Sequence, residues 1–102
     1  MLFHVTMTHS ENNCPVYHTE LMPESLASLE NLATVAEEQG VQLHYFTMCG
    51  PEHIFFALLE ADTLTAVSRY VFSIKLAQKI EVVPVEHLED TLAMAKAAAE
   101  QS

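Results

Sequence analysis

Positive charge is scarce in this chain: Arg69, Lys75, Lys79 and Lys96 are its only fixed cationic side chains, and none lies in the first 68 residues. Nucleic-acid phosphates and anionic membrane surfaces are held by clustered Lys and Arg, so no nucleic acid and no membrane is expected as a partner. Glycine is rarer still, with two in 102 residues. There is no Gly-rich phosphate loop, dinucleotide fingerprint, hydrolase nucleophile elbow or Cys-x-x-Cys pair, which argues against ATP-dependent chemistry. No apolar run approaches the roughly 20 residues that cross a bilayer, and no charged leader runs into an apolar stretch. The expected location is cytoplasmic. There the only cysteines, Cys14 and Cys49, are more simply reduced thiols or metal ligands than a disulfide.

Acid and apolar residues are plentiful. Fourteen Asp and Glu give a formal net charge of −10, and half of the residues are hydrophobic. The chain can therefore bury a core and does not read as disordered. Its length leaves room for one domain, read as 1–102 with a core over 1–85 and a C-terminal helix over 86–101. The acidity serves solubility first, and it also favours the approach of cations.

The hydrophobic pattern gives the order of elements. Leu2 to Thr8 alternates, with Phe3, Val5 and Met7 on one face and His4, Thr6 and Thr8 on the other. Ser10 to Met22 has no period and reads as a long loop, a common place for function. A helix runs from Pro23 to Gly40 on Leu26, Leu29, Leu32 or Ala33, and Ala36. Val41 to Met48 reads as a strand with Val41, Leu43 and Tyr45 on one face and Gln42, His44 and Phe46 on the other. Ile54 to Glu60 runs without alternation, as expected of a central strand covered on both faces. Asp62 or Thr63 caps a second helix carrying Leu64, Val67, Val71 and Ile74, and Ile80 to Val85 closes the sheet. A terminal helix comes last, with an apolar stripe of Leu88, Leu92 and Ala95.

Strand, helix, strand, strand, helix, strand predicts an α+β domain: a ferredoxin-like β-α-β-β-α-β antiparallel sheet with helices on one face. The unalternating strand asks for cover on the other face as well. In so small a chain a second copy supplies it, so a homodimer or higher homo-oligomer is expected.

The segments LFHVTMTHS, MCGPEHIFFALLEA and IEVVPVEHLEDTLAMAKAA resemble the dimeric α+β barrel superfamily, and are similar to small bacterial members whose last strand ends in Pro-Val before an acidic helix. The resemblance covers nearly the whole chain and implies the fold. The superfamily includes cofactor-free monooxygenases, haem-degrading enzymes, isomerases, stress proteins and some nickel-binding proteins, so the resemblance implies no single chemistry. No catalytic residue carries over.

Chemistry is read from the histidines and cysteines. Five of the six histidines fall in the first 53 residues, alongside both cysteines. In the ferredoxin-like order the ends of strands one and two and the start of strand three share one sheet edge, which collects His9, Cys49, Glu52 and His53, with Cys14 and His18 on the adjoining loop. Cys and His suit zinc, copper, nickel or iron. The primary ligands expected are His9, Cys14 and His53, then His18 and Cys49, with Glu52 as a ligand, an orienting partner of His53 or a general base on a metal-bound water.

Each of these residues alone has an ordinary explanation, as a surface hydrogen-bonding histidine or a small buried hydrophobe. Their concentration at one edge is what favours a metal. His4 and His44 lie about 16 Å from His9 and Cys49 at normal strand rise, and form a second candidate pair in the barrel cavity. There they could serve a cofactor-free or haem-type enzyme or a small-molecule binder, or simply pair within a polar interface. Met7, Met22, Met48 and Met94 are read as core filling rather than copper ligands, and His87 as a surface residue.

Overall fold

The computed structural model describes residues 1–101. Four strands form one antiparallel sheet: β1 (Leu2–Thr8), β2 (Gln42–Cys49), β3 (Ile54–Glu60) and β4 (Lys79–Val85), in the order β2-β3-β1-β4. β1 and β3 are the inner strands, and β1 runs antiparallel to both β3 and β4. This is the ferredoxin-like topology.

The helices are α1 (Met22–Glu30), α2 (Leu32–Gln39), α3 (Leu64–Phe72) and α4 (Leu88–Glu100). The continuous helix expected over 23–39 is broken at Asn31, whose ψ of 6° leaves the helical region. Gly40 ends α2 in the left-handed conformation at φ 69°, which only glycine adopts without a Cβ penalty. α3 starts at Thr63, whose hydroxyl accepts a hydrogen bond from the Ala66 amide at 3.1 Å. That satisfies one of the unpaired N–H groups at the helix start.

The core lies between one face of the sheet and the helices. Phe3, Val5 and Met7 of β1 meet Phe55, Ala57 and Leu59 of β3, closed by Leu32 and Ala36 of α2 and Val67, Tyr70 and Val71 of α3. β1 keeps the alternation read from its sequence. β3 also alternates within one protomer: Phe55, Ala57 and Leu59 are buried, while Ile54, Phe56 and Leu58 are only half-buried on the outer face.

β2 departs from the expected faces. Its register with β3 slips between Leu43 and Tyr45, so that Leu43 opposes Leu59, Tyr45 opposes Leu58 and Phe46 opposes Ala57. The extra residue, His44, makes a bulge and reverses the parity of the rest of the strand. Phe46, not Tyr45, joins Leu43 against the core. Tyr45 moves to the outer face, where its ring lies 6.4 Å from His4.

α4 stands apart. None of its residues is buried, and Leu88, Leu92 and Met94 are 69%, 48% and 63% exposed. The radius of gyration is 16.7 Å, against about 13 Å for a compact chain of this length.

Candidate metal centre

Three separate segments deliver the candidate ligands to one end of the sheet. His9 comes directly after the last residue of β1, and the inward parity of Phe3, Val5 and Met7 carries it toward the helix-covered side, where its ring lies 5.8 Å from that of Phe55. His53 precedes β3. It ends a short 3-10 turn over Gly50–Glu52 in the left-handed conformation, φ 56° and ψ 44°, the one positive φ outside glycine among the described residues. Its amide donates to the Gly50 carbonyl at 3.1 Å, and its own carbonyl accepts from the His9 amide at 3.2 Å. The backbone thus locks the two histidines side by side.

Cys14 comes from the loop after β1. Its carbonyl accepts from the amides of Tyr17 and His18 at 3.1 and 3.0 Å, a turn that holds the residue buried at 4% exposure. The Tyr17 ring covers His53 with centroids 5.8 Å apart.

One ligating atom each from His9, Cys14 and His53 falls within a mutual distance of 4.8 Å. The Nδ1 of His53 and the Nε2 of His9 are 3.3 Å apart. Bonds of about 2.0–2.3 Å around a tetrahedral ion put neighbouring ligand atoms roughly 3.3–3.8 Å from one another. The histidine pair already has that spacing, and the largest remaining gap needs to close by roughly 1 Å, within reach of side-chain rotation.

Burial, and secondarily the charge His53 would carry, hold His9 below the usual histidine range. A neutral ring is the form that ligates. The other His9 nitrogen, Nδ1, is buried without a hydrogen-bond partner among the described residues, as are both amide atoms of Gln78. Extending the β1–β4 register one residue beyond Thr8↔Lys79 sets Gln78 opposite His9. Ligating histidines commonly give their second N–H to such a partner. Gln78 was not among the residues singled out from sequence; strand register brings it opposite His9, and no hydrogen bond joins the two.

The remaining candidates are dispersed. His18 lies 3.7 Å from the Glu20 carboxylate, outside the three-atom group. Cys49 borders the same cavity as His9, Cys14 and His53 but is not in the group. Glu52 is exposed. On β2, His44 shares a 2.9 Å hydrogen bond with Glu60, and this bond is the main reason the Glu60 carboxyl titrates below its ordinary range. His4 lies on the outer face between the rings of Tyr45 and Phe56.

Among solved structures, muconolactone isomerase superposes with a TM-score of 0.57 at 19% identity, over 86% of this chain and 92% of that one. The chain shares that protein's fold. The ferredoxin-like fold expected from the sequence is thus the one observed. A dimeric ferredoxin-like protein from an uncultured marine organism aligns over 85% of this chain and 96% of its own, at 17% identity and a TM-score of 0.31. No protein-family model and no curated protein matches the sequence.

Proposed function

We propose that this chain is a transition-metal-binding protein whose ligands are His9, Cys14 and His53. The observation that carries the reading is the approach of three donor atoms from three separate segments to within 4.8 Å. Two imidazoles and a thiolate suit zinc, and also copper, nickel or iron. Three protein donors leave a tetrahedral ion one position for an exogenous group, the arrangement of reactive rather than purely structural sites. Cys49, beside the same cavity, and His18 are the reserve donors, and Glu52 lies next to His53 in sequence as an outer partner. The −10 net charge favours cation approach.

The test is metal content of protein prepared without a histidine tag and reconstituted with zinc, copper, nickel or iron. One ion per chain is expected, and His9→Ala, Cys14→Ala and His53→Ala should each weaken binding by about a hundredfold or more, given that even outer-partner changes cost 10–100-fold. Absence of stoichiometric metal with all four ions would overturn the proposal.

The same reading includes self-association. Ile54, Phe56 and Leu58 of β3, and Val83 at 53% and Val85 at 38% exposure on β4, lie on the outer face on either side of β1, two apolar strips that a second sheet would cover. The aromatic setting of His4 in that face favours a second reading, a cofactor-free or haem-type barrel enzyme or small-molecule binder using His4 and His44. A haem or ligand titration that perturbs His4 and is lost in His4→Ala would support it.

A further inference from the structure

We propose that the cavity beside His9, Cys14 and His53 binds a compact apolar molecule, about the size of one six-membered ring, through a single anionic head that completes the coordination of the metal. The inference rests on the proposed metal site and specifies what occupies its fourth position.

Size comes first. The cavity measures about 170 Å³, and an apolar cavity of about 150 Å³ accommodates benzene. Its wall is built from Met22, Leu26 and Leu29 of α1, Phe55 of β3, and Ile74 and Leu76 from the segment after α3.

Polarity narrows the choice. Apart from the three ligands and the Cys49 thiol, the polar side chain lining the cavity is Ser25, and its buried hydroxyl is already donated to the Lys75 carbonyl at 2.6 Å. A sugar or nucleotide would bring hydroxyls and amides with no partners there, and each such buried group is costly. An apolar body fits instead.

Charge fixes the head. Among the described residues no Lys or Arg lines this cavity, so the protein alone offers an anion no countercharge. A divalent ion held by the ligand cluster is the one cation available. A carboxylate at the metal with a hydrocarbon body against α1 satisfies both ends, and its binding must depend on the metal.

The experiment uses the full-length chain loaded with cobalt(II), whose ligand-field bands report on the fourth position. Benzoate is the probe and acetate the control. Benzoate should shift those bands at concentrations about tenfold or more below acetate, since even one methylene in an apolar pocket is worth 10–200-fold. Leu26→Phe narrows the cavity at a residue that is 48% exposed. It should keep the cobalt spectrum and lose the preference for benzoate, and Leu29→Ala should shift the preference toward 4-ethylbenzoate if Leu26→Phe folds poorly. Failure to bind cobalt would overturn the metal reading together with this one. A cobalt spectrum that answers benzoate and acetate equally, or neither, would overturn only the cavity ligand. So would a two-thiolate spectrum that reverts to one thiolate in Cys49→Ser, because the fourth position would then belong to the protein.

Discussion

His53 sits at φ 56°, a conformation that costs a non-glycine residue of order 1–3 kcal/mol. Such strain persists where the surroundings fix it, and here the hydrogen bonds to Gly50 and His9 do so. His53→Gly should therefore leave the metal-free protein as stable as His53→Ala or up to about 1 kcal/mol more stable, while losing metal as fully as His53→Ala does. Chemical denaturation and a chelator competition on the same samples check both halves. His9 carries a pH signature. Burial first, then His53, depress its protonation in the folded state. The stability contributed by the neutral ring is fully present above the unfolded value of about 6.5 and is lost as pH falls through the lower folded value. Thermal unfolding of the metal-free protein should show a falling Tm between about pH 7 and pH 5, with a shallower slope in His9→Gln.

Two serines of α1 tie it to the segment that enters β4. Ser25 donates to the Lys75 carbonyl at 2.6 Å, and the Ser28 hydroxyl accepts from the Lys75 amide at 2.9 Å. Ser25→Ala strips a partner from a carbonyl beside a side chain only 4% exposed, which should cost about 1–3 kcal/mol, read from urea midpoints. Neither clamp was legible in the sequence, because a bond between residues 50 positions apart has no local signal. The period-2 pattern of β1 and the Gly40 stop were legible, and the cap of α3 was narrowed to Asp62 or Thr63, since each is decided by a residue's own backbone neighbours. Tyr45 and Phe46 were assigned to the wrong faces for a physical reason. Both are aromatic and at home on either side of a sheet, so their order does not reveal the bulge at His44. Of the candidate site, the grouping was legible: topology brings His9 and His53 to one edge and Cys14 ranked ahead of His18, as in the three-atom group, whereas the turn over 14–18 that buries Cys14 has no signal in the sequence.

At the scale of the molecule, extents of 61 × 29 × 17 Å belong to a domain with an arm. The arm is α4, an element about 20 Å long at helical rise whose apolar residues lie open within its own chain. The proposed second copy accounts for it together with the outer apolar strips of β3 and β4. Sedimentation equilibrium should give a dimer or larger assembly for the whole chain, and removing residues 88–101 should shift the population to monomer. A monomeric full-length chain at micromolar concentration would contradict this. The exposed arm also has a thermodynamic consequence. If part of each protomer's hydrophobic burial is supplied by its neighbour, unfolding is a dissociation as well, and Tm should rise with protein concentration. Dilution then becomes a perturbation in its own right, and substituted and unsubstituted chains compare fairly only when weighed out at the same number of chains per litre.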